Sequence, residues 1–331
     1  MTPLALVVLG AGAAAICAVV VPPVGSLARV WGALDKPDER RIHARITPRL
    51  GGLAVFAAFL LMLLVAAAGG WMSFDRGMLR VPAFVAGGFL VLCVGALDDR
   101  RHVPALVKLG VEIVAALVVV YAGDCRITGI SSPNGVFSLG LFAVPFTVVW
   151  IVLVTNAINL IDGMDGLAAG ASTIALAAVA VVAYGFGMNN ISALAAILAG
   201  ACLGFLVHNF HPASIFLGDS GSLFIGFSLG VLSSFARAKG TTGAITLATL
   251  LILALPLGDT LLAVERRYRT GLSATSLRSH LGALSRILRP DRNHLHHRLL
   301  RAGLGQRAAS YALYALQLIA CIYAVYLLVR G

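Results

Sequence analysis

Charged residues are scarce in this sequence. Only 12% of its 331 residues are Asp, Glu, Lys or Arg, whereas soluble domains carry about 25%. Hydrophobic residues make up 59% of the chain. The shortage of charge excludes an ordinary soluble domain and predicts an all-α polytopic membrane protein. Domain counting from chain length does not apply to such a protein, so we expect one integral-membrane domain over residues 1–331.

Paired cysteines and acidic residues are also in short supply. The five cysteines stand singly and form no Cys-x-x-Cys motif, which excludes a disulfide framework and a cysteine-based zinc site. The 14 acidic residues are outnumbered by 25 basic ones, for a net charge of +11. No basic segment is interleaved with aromatic residues. We therefore assign the surplus to the cytoplasmic loops of a membrane protein and expect no nucleic-acid partner.

We read ten apolar runs as membrane-crossing helices, which take about 17–25 residues. The run 222–236 is shorter and rich in glycine, so we expect it to be tilted or broken. The first run lacks the basic residues that open a signal peptide, so we expect it to be retained. The runs cover residues 4–26, 50–69, 81–97, 105–122, 141–158, 167–185, 191–209, 222–236, 244–263 and 307–329.

The basic residues predict how these ten spans are oriented. Nineteen of the 25 lie in or beside the loops that follow spans 1, 3, 5, 7 and 9, and six lie on the other side. The positive-inside rule places the richer side in the cytoplasm of an inner or plasma membrane. On the outer side, residues 123–140 predict a short β-hairpin with its turn at Ser132-Pro-Asn-Gly135.

Residues 155–166 set polar side chains at the end of span 5. A carboxylate at membrane depth costs about 2.5–3.5 kcal/mol on insertion scales, so a chance pair is not expected there. Four residues at steps of three sweep half of a helix and cannot all face one ligand. Gly163 and Gly166 predict that the helix ends beside a ligand. Hydrogen bonding between helices and a helix cap are the alternative. The four are Asn156, Asn159, Asp162 and Asp165.

Two further acidic features occur at span ends. Asp98 and Asp99 close span 3, and such a pair is typical of a magnesium or phosphate site, the alternative being a solvated loop end. Lys108 follows in span 4 and is placed to meet a phosphate. After Asn209, the glycine-rich turn at Asp219 offers a carboxylate to a metal and N–H groups to a phosphate, unless it is a plain turn.

Two basic segments complete the set. The first contains His43, a candidate anion contact together with Arg49. The second contains three histidines in four residues, which can bind zinc. The surrounding arginines favour a phosphate or pyrophosphate contact instead, and a surface loop is the third reading. Its polar residues are His294, His296, His297 and Arg298.

Together these motifs resemble those of the polyprenyl-phosphate N-acetylhexosamine-1-phosphate transferase family. They follow the family's order from about residue 36 to 298, each at a span end on one face. Any one of these motifs alone is weak evidence for the resemblance, but five of them in the family's order are specific to it. They are Pro37-Asp-x-Arg-x-x-His43 with Pro48-x-x-Gly-Gly52, Asp98-Asp99, Asn156-Ala-x-Asn-x-x-Asp-Gly-x-Asp-Gly-Leu167, Phe216-Leu-Gly-Asp-Ser-Gly-Ser222 and His294-x-His-His297.

The resemblance implies an enzyme that moves an N-acetylhexosamine-1-phosphate from a UDP-sugar to undecaprenyl phosphate and releases UMP. This reaction begins a lipid-linked cell-envelope glycan such as lipopolysaccharide or teichoic acid. It implies Mg²⁺, with Mn²⁺ as an alternative, and allows a homodimer. The GlcNAc-1-phosphate branch fits better than the phospho-MurNAc-pentapeptide branch, because Leu295 interrupts the latter's consecutive histidines. Another UDP-N-acetylhexosamine stays open.

The resemblance also implies a role for each residue. Asp98, Asp99 and Lys108 are the catalytic residues, while Asp219 and Asp162 hold the metal. We expect direct in-line displacement by the lipid phosphate, with Asp98 or Asp99 as base. A covalent aspartyl-phosphate is the alternative. The substrate-binding residues are His43, Asn156, Asn159, Asp162, Asp165, Asn209, His294, His296, His297 and Arg298.

A membrane transporter is the alternative from another class. Transporters also place acids and glycines at broken helices, near the middle of the membrane and in two related halves. Here the acids cluster at the cytoplasmic ends of the spans, and no internal repeat is visible. The sequence therefore favours the enzyme.

Overall fold

The computed structural model describes residues 1–35, 46–72, 80–132, 135–238, 249–271 and 294–330. Helices dominate these residues, and strands occur only as two short pairs among them. The helices are α1 Pro3–Trp31, α2 Gly51–Ala68, α3 Arg80–Arg100, α4 Ala105–Tyr121, α5 Ala143–Ile161, α6 Leu167–Gly185, α7 Asn189–Asn209, α8 Gly218–Ala238, α9 Ala254–Gly271, α10 Leu295–Arg301 and α11 Gln306–Arg330. The strands are β1 Leu34–Asp35, β2 Thr47–Pro48, β3 Gly129–Ser132 and β4 Gly135–Ser138, and a 3₁₀ turn covers Gly140–Phe142.

Within the described ranges, seven helices are long and apolar enough to cross a membrane, namely α1, α2, α3, α5, α6, α7 and α11. A helix satisfies every backbone hydrogen bond within itself, so it is the form that an apolar chain takes in lipid. Large apolar side chains such as Leu64, Val149 and Ile319 lie exposed on these helices. The chain is therefore the helical polytopic membrane protein that its composition predicts. Length and composition support seven spans of the ten that we predicted.

Small residues bring α1 and α7 into backbone contact. A Cβ atom added to Gly200 would overlap the carbonyl oxygen of Gly10, and one added to Gly204 would overlap that of Ala14. On both helices the two positions are four residues apart and so lie on one face. Close approach at small residues is a common way for membrane helices to associate, since lipid gives them no hydrophobic drive to pack.

A second close approach joins α3 to α8. A Cβ atom on Gly95 would lie 2.5 Å from the carbonyl group of Asp219. Further along the same helices, Gly87 and Gly88 face the rings of Phe227 and Phe224. The C-terminal end of α3 and the N-terminal end of α8 are thereby brought together.

The segment between α1 and α2 is hydrogen-bonded to the segment before α8. β1 pairs with β2 in antiparallel fashion, and the N–H of Phe216 donates to the carbonyl of Pro48 at 2.8 Å. The N–H groups of Gly51 and Gly52 donate to Phe216 and Leu217 at 3.0 Å each. These contacts place the residue that follows β2, Arg49, beside the start of α8.

β3 and β4 pair antiparallel in the segment where we predicted a hairpin, at the ends of α4 and α5 far from Lys108 and Asp162.

At the start of α9, Pro256 has no N–H group to donate to the carbonyl of Ile252. The amide of Gln317 in α11 donates to that carbonyl instead and accepts from the N–H of Leu255. This contact fixes α9 against α11.

We expect Gly200→Ala to lower the thermal stability of the detergent-solubilised protein. The added methyl group meets the backbone of α1, and overpacking typically costs about 1–3 kcal/mol. Gly185→Ala is the matched control, because a Cβ atom there meets nothing within 4 Å. Equal melting temperatures for the two variants would contradict the tight contact between α1 and α7.

Candidate functional site

Four helix ends meet on one side of the bundle. The C-terminal ends of α3 and α5 and the N-terminal ends of α4 and α8 bring polar groups together that lie far apart in the chain. The arrangement places helix N–H groups and carboxylates next to one another, since the first turn of a helix has N–H groups without helical partners.

Asp99 fastens the end of α3 to the beginning of α8. Its Oδ1 accepts a hydrogen bond from the N–H of Asp219 at 2.8 Å. Its Oδ2 accepts from the N–H and from the hydroxyl of Ser220, at 3.1 and 2.7 Å. The side chain is fully buried. Gly218 allows this approach, because its φ of 72° and its missing side chain leave room for the carboxylate.

Asp98, next in the chain to Asp99, has a different environment. Its Oδ1 accepts from the N–H of Val103 at 2.7 Å, and its Oδ2 lies 3.2 Å from Nζ of Lys108. Nζ also lies 2.8 Å from Oδ2 of Asp219. The three side chains keep 13 to 18% of their surface exposed, so they remain accessible from one side. The predicted acidic pair, the predicted lysine and the predicted metal ligand therefore do come together.

Arg49 adds a second cation to the same group. Its guanidinium lies 3.5 Å from Asp35, 3.7 Å from Asp99 and 3.8 Å from Asp219. Among the described residues, four carboxylates thus face two basic side chains. An excess of negative charge that is sheltered from water favours a bound cation.

Asp162 lies just beyond α5, partly buried. Burial raises the pKa of its carboxyl well above the ordinary value, Arg49 lowers it, and the charges of Asp219, Asp99 and Asp165 raise it further. No described residue donates a hydrogen bond to this carboxylate. No set of three or more His, Cys, Asp or Glu side chains within the described ranges converges as a complete metal cage.

The turn between α5 and α6 confirms the prediction that the helix ends there. α5 stops at Ile161, and Gly166 adopts φ 76° before α6 begins. Asn159 accepts a hydrogen bond at 2.7 Å from the hydroxyl of Ser222 in α8. Asn156, one turn earlier, donates instead to the buried Glu112 in α4. Asn156 and Asn159 therefore contact different helices, in agreement with the spacing argument that the polar residues of this stretch cannot all face one ligand.

Asp165 and Asn209 tie this turn to the loop between α7 and α8. Oδ2 of Asp165 lies 2.7 Å from Nδ1 of His211 and accepts from the N–H of Ala213 at 3.2 Å. Asn209 accepts from the N–H of Gly166 at 3.1 Å and donates to the carbonyl of Ile215 at 2.9 Å. Both were predicted to bind substrate, and both are buried and occupied by protein contacts.

Helix α11 also contacts the turn between α5 and α6. The hydroxyl of Tyr314 donates to the carbonyl of Gly166 at 2.6 Å, and that of Ser310 to the carbonyl of Asp165 at 3.5 Å. Arg307 donates to the carbonyl of His211 at 3.0 Å. The turn is therefore held from the C-terminal helix as well as from α7.

The histidines lie at the N-terminal end of α10, next to the α5–α6 turn. His294 and His296 are buried, while Arg298 is exposed. Burial, with the charge of His297, lowers the pKa of His296 to about 4, so this ring is neutral at pH 7. Its Nε2 points at Gly163, where a Cβ atom would lie 2.7 Å away. His43, the remaining predicted contact, lies outside the described residues.

Sequence reasoning missed several of these contacts. We assigned no role to Glu112 or to Asp259, which lies 2.8 Å from His294, although an acid within an apolar span is a signal of function by itself. Glu112 also stands four residues after Lys108, on the same helix face. His211 and Tyr314 carry no such local signal.

These observations define a class: a multi-pass helical membrane protein with a site of carboxylates, two cations and helix N-terminal N–H groups at one end of the bundle. The family model described as glycosyl transferase family 4 matches residues 81–236.

Named relatives agree with that match. The "Probable undecaprenyl-phosphate N-acetylglucosaminyl 1-phosphate transferase" of Bacillus subtilis is 38% identical over 93% of this chain and 81% of its own length. The "Decaprenyl-phosphate N-acetylglucosaminephosphotransferase" of Mycolicibacterium smegmatis is 37% identical over 87% and 73%. The "Undecaprenyl-phosphate alpha-N-acetylglucosaminyl 1-phosphate transferase" of Escherichia coli K12 is 27% identical over 86% and 73%. The chain belongs to glycosyl transferase family 4.

We expect Asp99→Asn to lower the melting temperature more than Asp98→Asn does. An amide at position 99 sets an NH₂ group against the donors of α8, and a buried polar group left without its partner costs about 1–3 kcal/mol. An amide at position 98 can still accept from Val103, and it removes one of four crowded carboxylates. Thermal unfolding of the two variants side by side checks this, and a larger loss for Asp98→Asn would contradict the role of Asp99 in fastening α3 to α8.

Proposed function

We propose that this protein transfers GlcNAc-1-phosphate from UDP-GlcNAc to undecaprenyl phosphate and releases UMP. The observation that carries the proposal is the convergence of Asp98, Lys108 and Asp219 at the start of α8. Membership of glycosyl transferase family 4 and the printed names of the relatives support the same reaction.

The site suits the chemistry of this reaction. Two phosphate groups must approach each other, so the protein has to position them and neutralise their charge. Lys108 and Arg49 are the positive side chains at that point. The helices around them expose apolar side chains, which suits a lipid acceptor whose phosphate enters from the membrane surface.

A magnesium ion fits the donor set. Mg²⁺ takes one or two carboxylates together with substrate phosphates and waters. We assign it to Asp219 and Asp162. Oδ1 of Asp219 is 3.8 Å from Arg49, too far for a hydrogen bond, and the Asp162 carboxylate has no donor from the described residues. When bound, the ion would neutralise phosphate charge. Mn²⁺ is an alternative with the same ligand preference.

Asp98 is the base that we assign within the acidic pair. Both oxygens of Asp99 are already occupied by donors from α8, so Asp99 acts by holding that helix. Asp98 has one oxygen directed towards Lys108 and is partly exposed. It can take a proton from the acceptor phosphate, which then attacks the donor directly. The donor's nucleotide lies along Asn159 and the α5–α6 turn, with its pyrophosphate towards the histidines.

The position of the protein in the membrane follows from the charge pattern. We propose ten spans, with α4, α8 and α9 added to the seven long apolar helices. The site then faces the cytoplasm, where nucleotide sugars are available, and β3 and β4 face outward. The 19 basic residues on the site's side support this orientation. A homodimer stays a prediction.

We expect the purified protein to release UMP and form a lipid-linked product from radiolabelled UDP-GlcNAc and undecaprenyl phosphate when Mg²⁺ is present. EDTA should abolish the product and added Mg²⁺ should restore it. Asp219→Asn should lower kcat/KM by about 100-fold or more, the size expected when a main electrostatic contact is lost. UDP-GalNAc and UDP-MurNAc-pentapeptide, tested in parallel, report the sugar preference. Failure with every UDP-N-acetylhexosamine would overturn the proposal.

Direct displacement makes a separate prediction. Wild-type protein incubated with labelled UDP-GlcNAc alone should carry no covalent label after denaturation. Asp98→Asn should lower kcat by at least about 100-fold with little change in the KM of the donor, because general bases contribute about 10²–10⁴-fold. A labelled adduct that accumulates on the enzyme would favour the covalent aspartyl-phosphate route.

A further inference from the structure

Asp259 is an acid buried within the otherwise apolar beginning of α9. Its Oδ2 lies 2.8 Å from Nδ1 of His294, and its Oδ1 accepts a hydrogen bond from the N–H of Leu295 at 2.8 Å. The side chains of Asp259 and His294 are 2% and 5% exposed. A buried carboxylate is stable only when its oxygens are paired, so both contacts are needed to keep it there.

These two contacts determine where α10 begins. His294 is the residue before the helix, and its own side chain makes no capping hydrogen bond. The carboxylate of Asp259 accepts from the first helical N–H in its place. The start of α9, which carries Asp259, is held by Gln317 of α11, whose amide donates to the carbonyl of Ile252 and accepts from the N–H of Leu255.

Ring contacts connect His294 to the other two histidines. The rings of His294 and His296 are parallel, with an interplanar angle of 4° and centroids 5.9 Å apart. The rings of His296 and His297 are 4.3 Å apart. Nε2 of His296 is buried, makes no hydrogen bond to any described residue and points at Gly163 in the α5–α6 turn. The histidine turn, residues 294–297, therefore lies against the α5–α6 turn, which carries Asp162.

We propose that Asp259 is a positioning residue for the nucleotide-sugar donor. It acts through His294 and the start of α10 to hold the histidine turn, residues 294–297, where the donor's pyrophosphate binds. The inference rests on the proposed function and adds to it a residue 35 positions before the histidines. Since Asp259 does not touch the acceptor's side of the site, its removal should affect one substrate alone.

The test compares three full-length variants. Asp259→Asn keeps the shape but sets an NH₂ group against one of the two donors. Asp259→Glu keeps the charge and moves it by one methylene. Thr260→Val is the matched control, a neighbouring buried residue whose hydroxyl donates to Pro256 within α9. Initial rates with UDP-GlcNAc and undecaprenyl phosphate varied in turn, and melting temperatures, are measured for each.

For Asp259→Asn we expect the KM of UDP-GlcNAc to rise about tenfold or more, as for the loss of a hydrogen bond to a charged group. The KM of undecaprenyl phosphate should stay within about twofold of wild type, because no hydrogen bond is lost on the acceptor's side of the site. Asp259→Glu should be intermediate and Thr260→Val unchanged. A donor KM equal to that of wild type in both Asp259 variants would overturn the inference. So would equal losses for both substrates together with a lower melting temperature. Should Asp259→Asn not fold, Asp259→Glu decides by the same criteria.

Binding of UDP to the purified full-length proteins separates this inference from the proposed function. A wild-type protein that forms no lipid-linked product overturns the proposed function. UDP affinity then decides the role of Asp259: weaker binding in the variants than in wild type and Thr260→Val supports it, and equal binding overturns it.

Discussion

Three hydrogen bonds from the start of α8 to the buried carboxylate of Asp99 join two helices that are remote in sequence. With α8 fixed in this way, Asp219 comes to lie beside Lys108, and Lys108 lies beside Asp98. A charge out of contact with water is costly unless it is fully paired, and helix N-terminal N–H groups are among the best partners for a carboxylate. The contact therefore joins α3 to α8, and the positions of Asp219, Lys108 and Asp98 in the site depend on it.

Much of this site could be predicted from the sequence, because its residues stand at span ends in short motifs. The end of α5 near Gly163 and the meeting of the acidic pair with Lys108 and Asp219 followed from such motifs. The separate roles of Asp98 and Asp99 did not follow from any motif. Adjacent residues on a helix point about 100° apart, so the two members of the Asp98–Asp99 pair face different partners, Asp99 the start of α8 and Asp98 the side chain of Lys108. Which of the two faces α8 depends on where α8 packs, and no local pattern contains that information.

The missed residues have the same cause. Asp259 meets His294 across 35 positions, and His211 meets Asp165 across 46. Asn209, which we predicted to bind substrate, has an amide group that hydrogen-bonds Gly166 and Ile215 in two loops. A side chain that supports a site and one that binds a ligand look alike in sequence, since both are polar residues at the end of an apolar run. Only the arrangement of helices in space separates them.

Tyr314 reaches back 148 positions to hold the carbonyl of Gly166, and Ser310 and Arg307 lie on the same helix. Membrane proteins are inserted as they are synthesised, from the N-terminus onward, and the elements made first wait for those made last. Here the turn between α5 and α6 enters the membrane long before its C-terminal support exists. The nascent protein can complete this site only when α11 has left the ribosome and reached the bundle. A chain that terminates before α11 therefore carries nearly every motif of the family on an incomplete site.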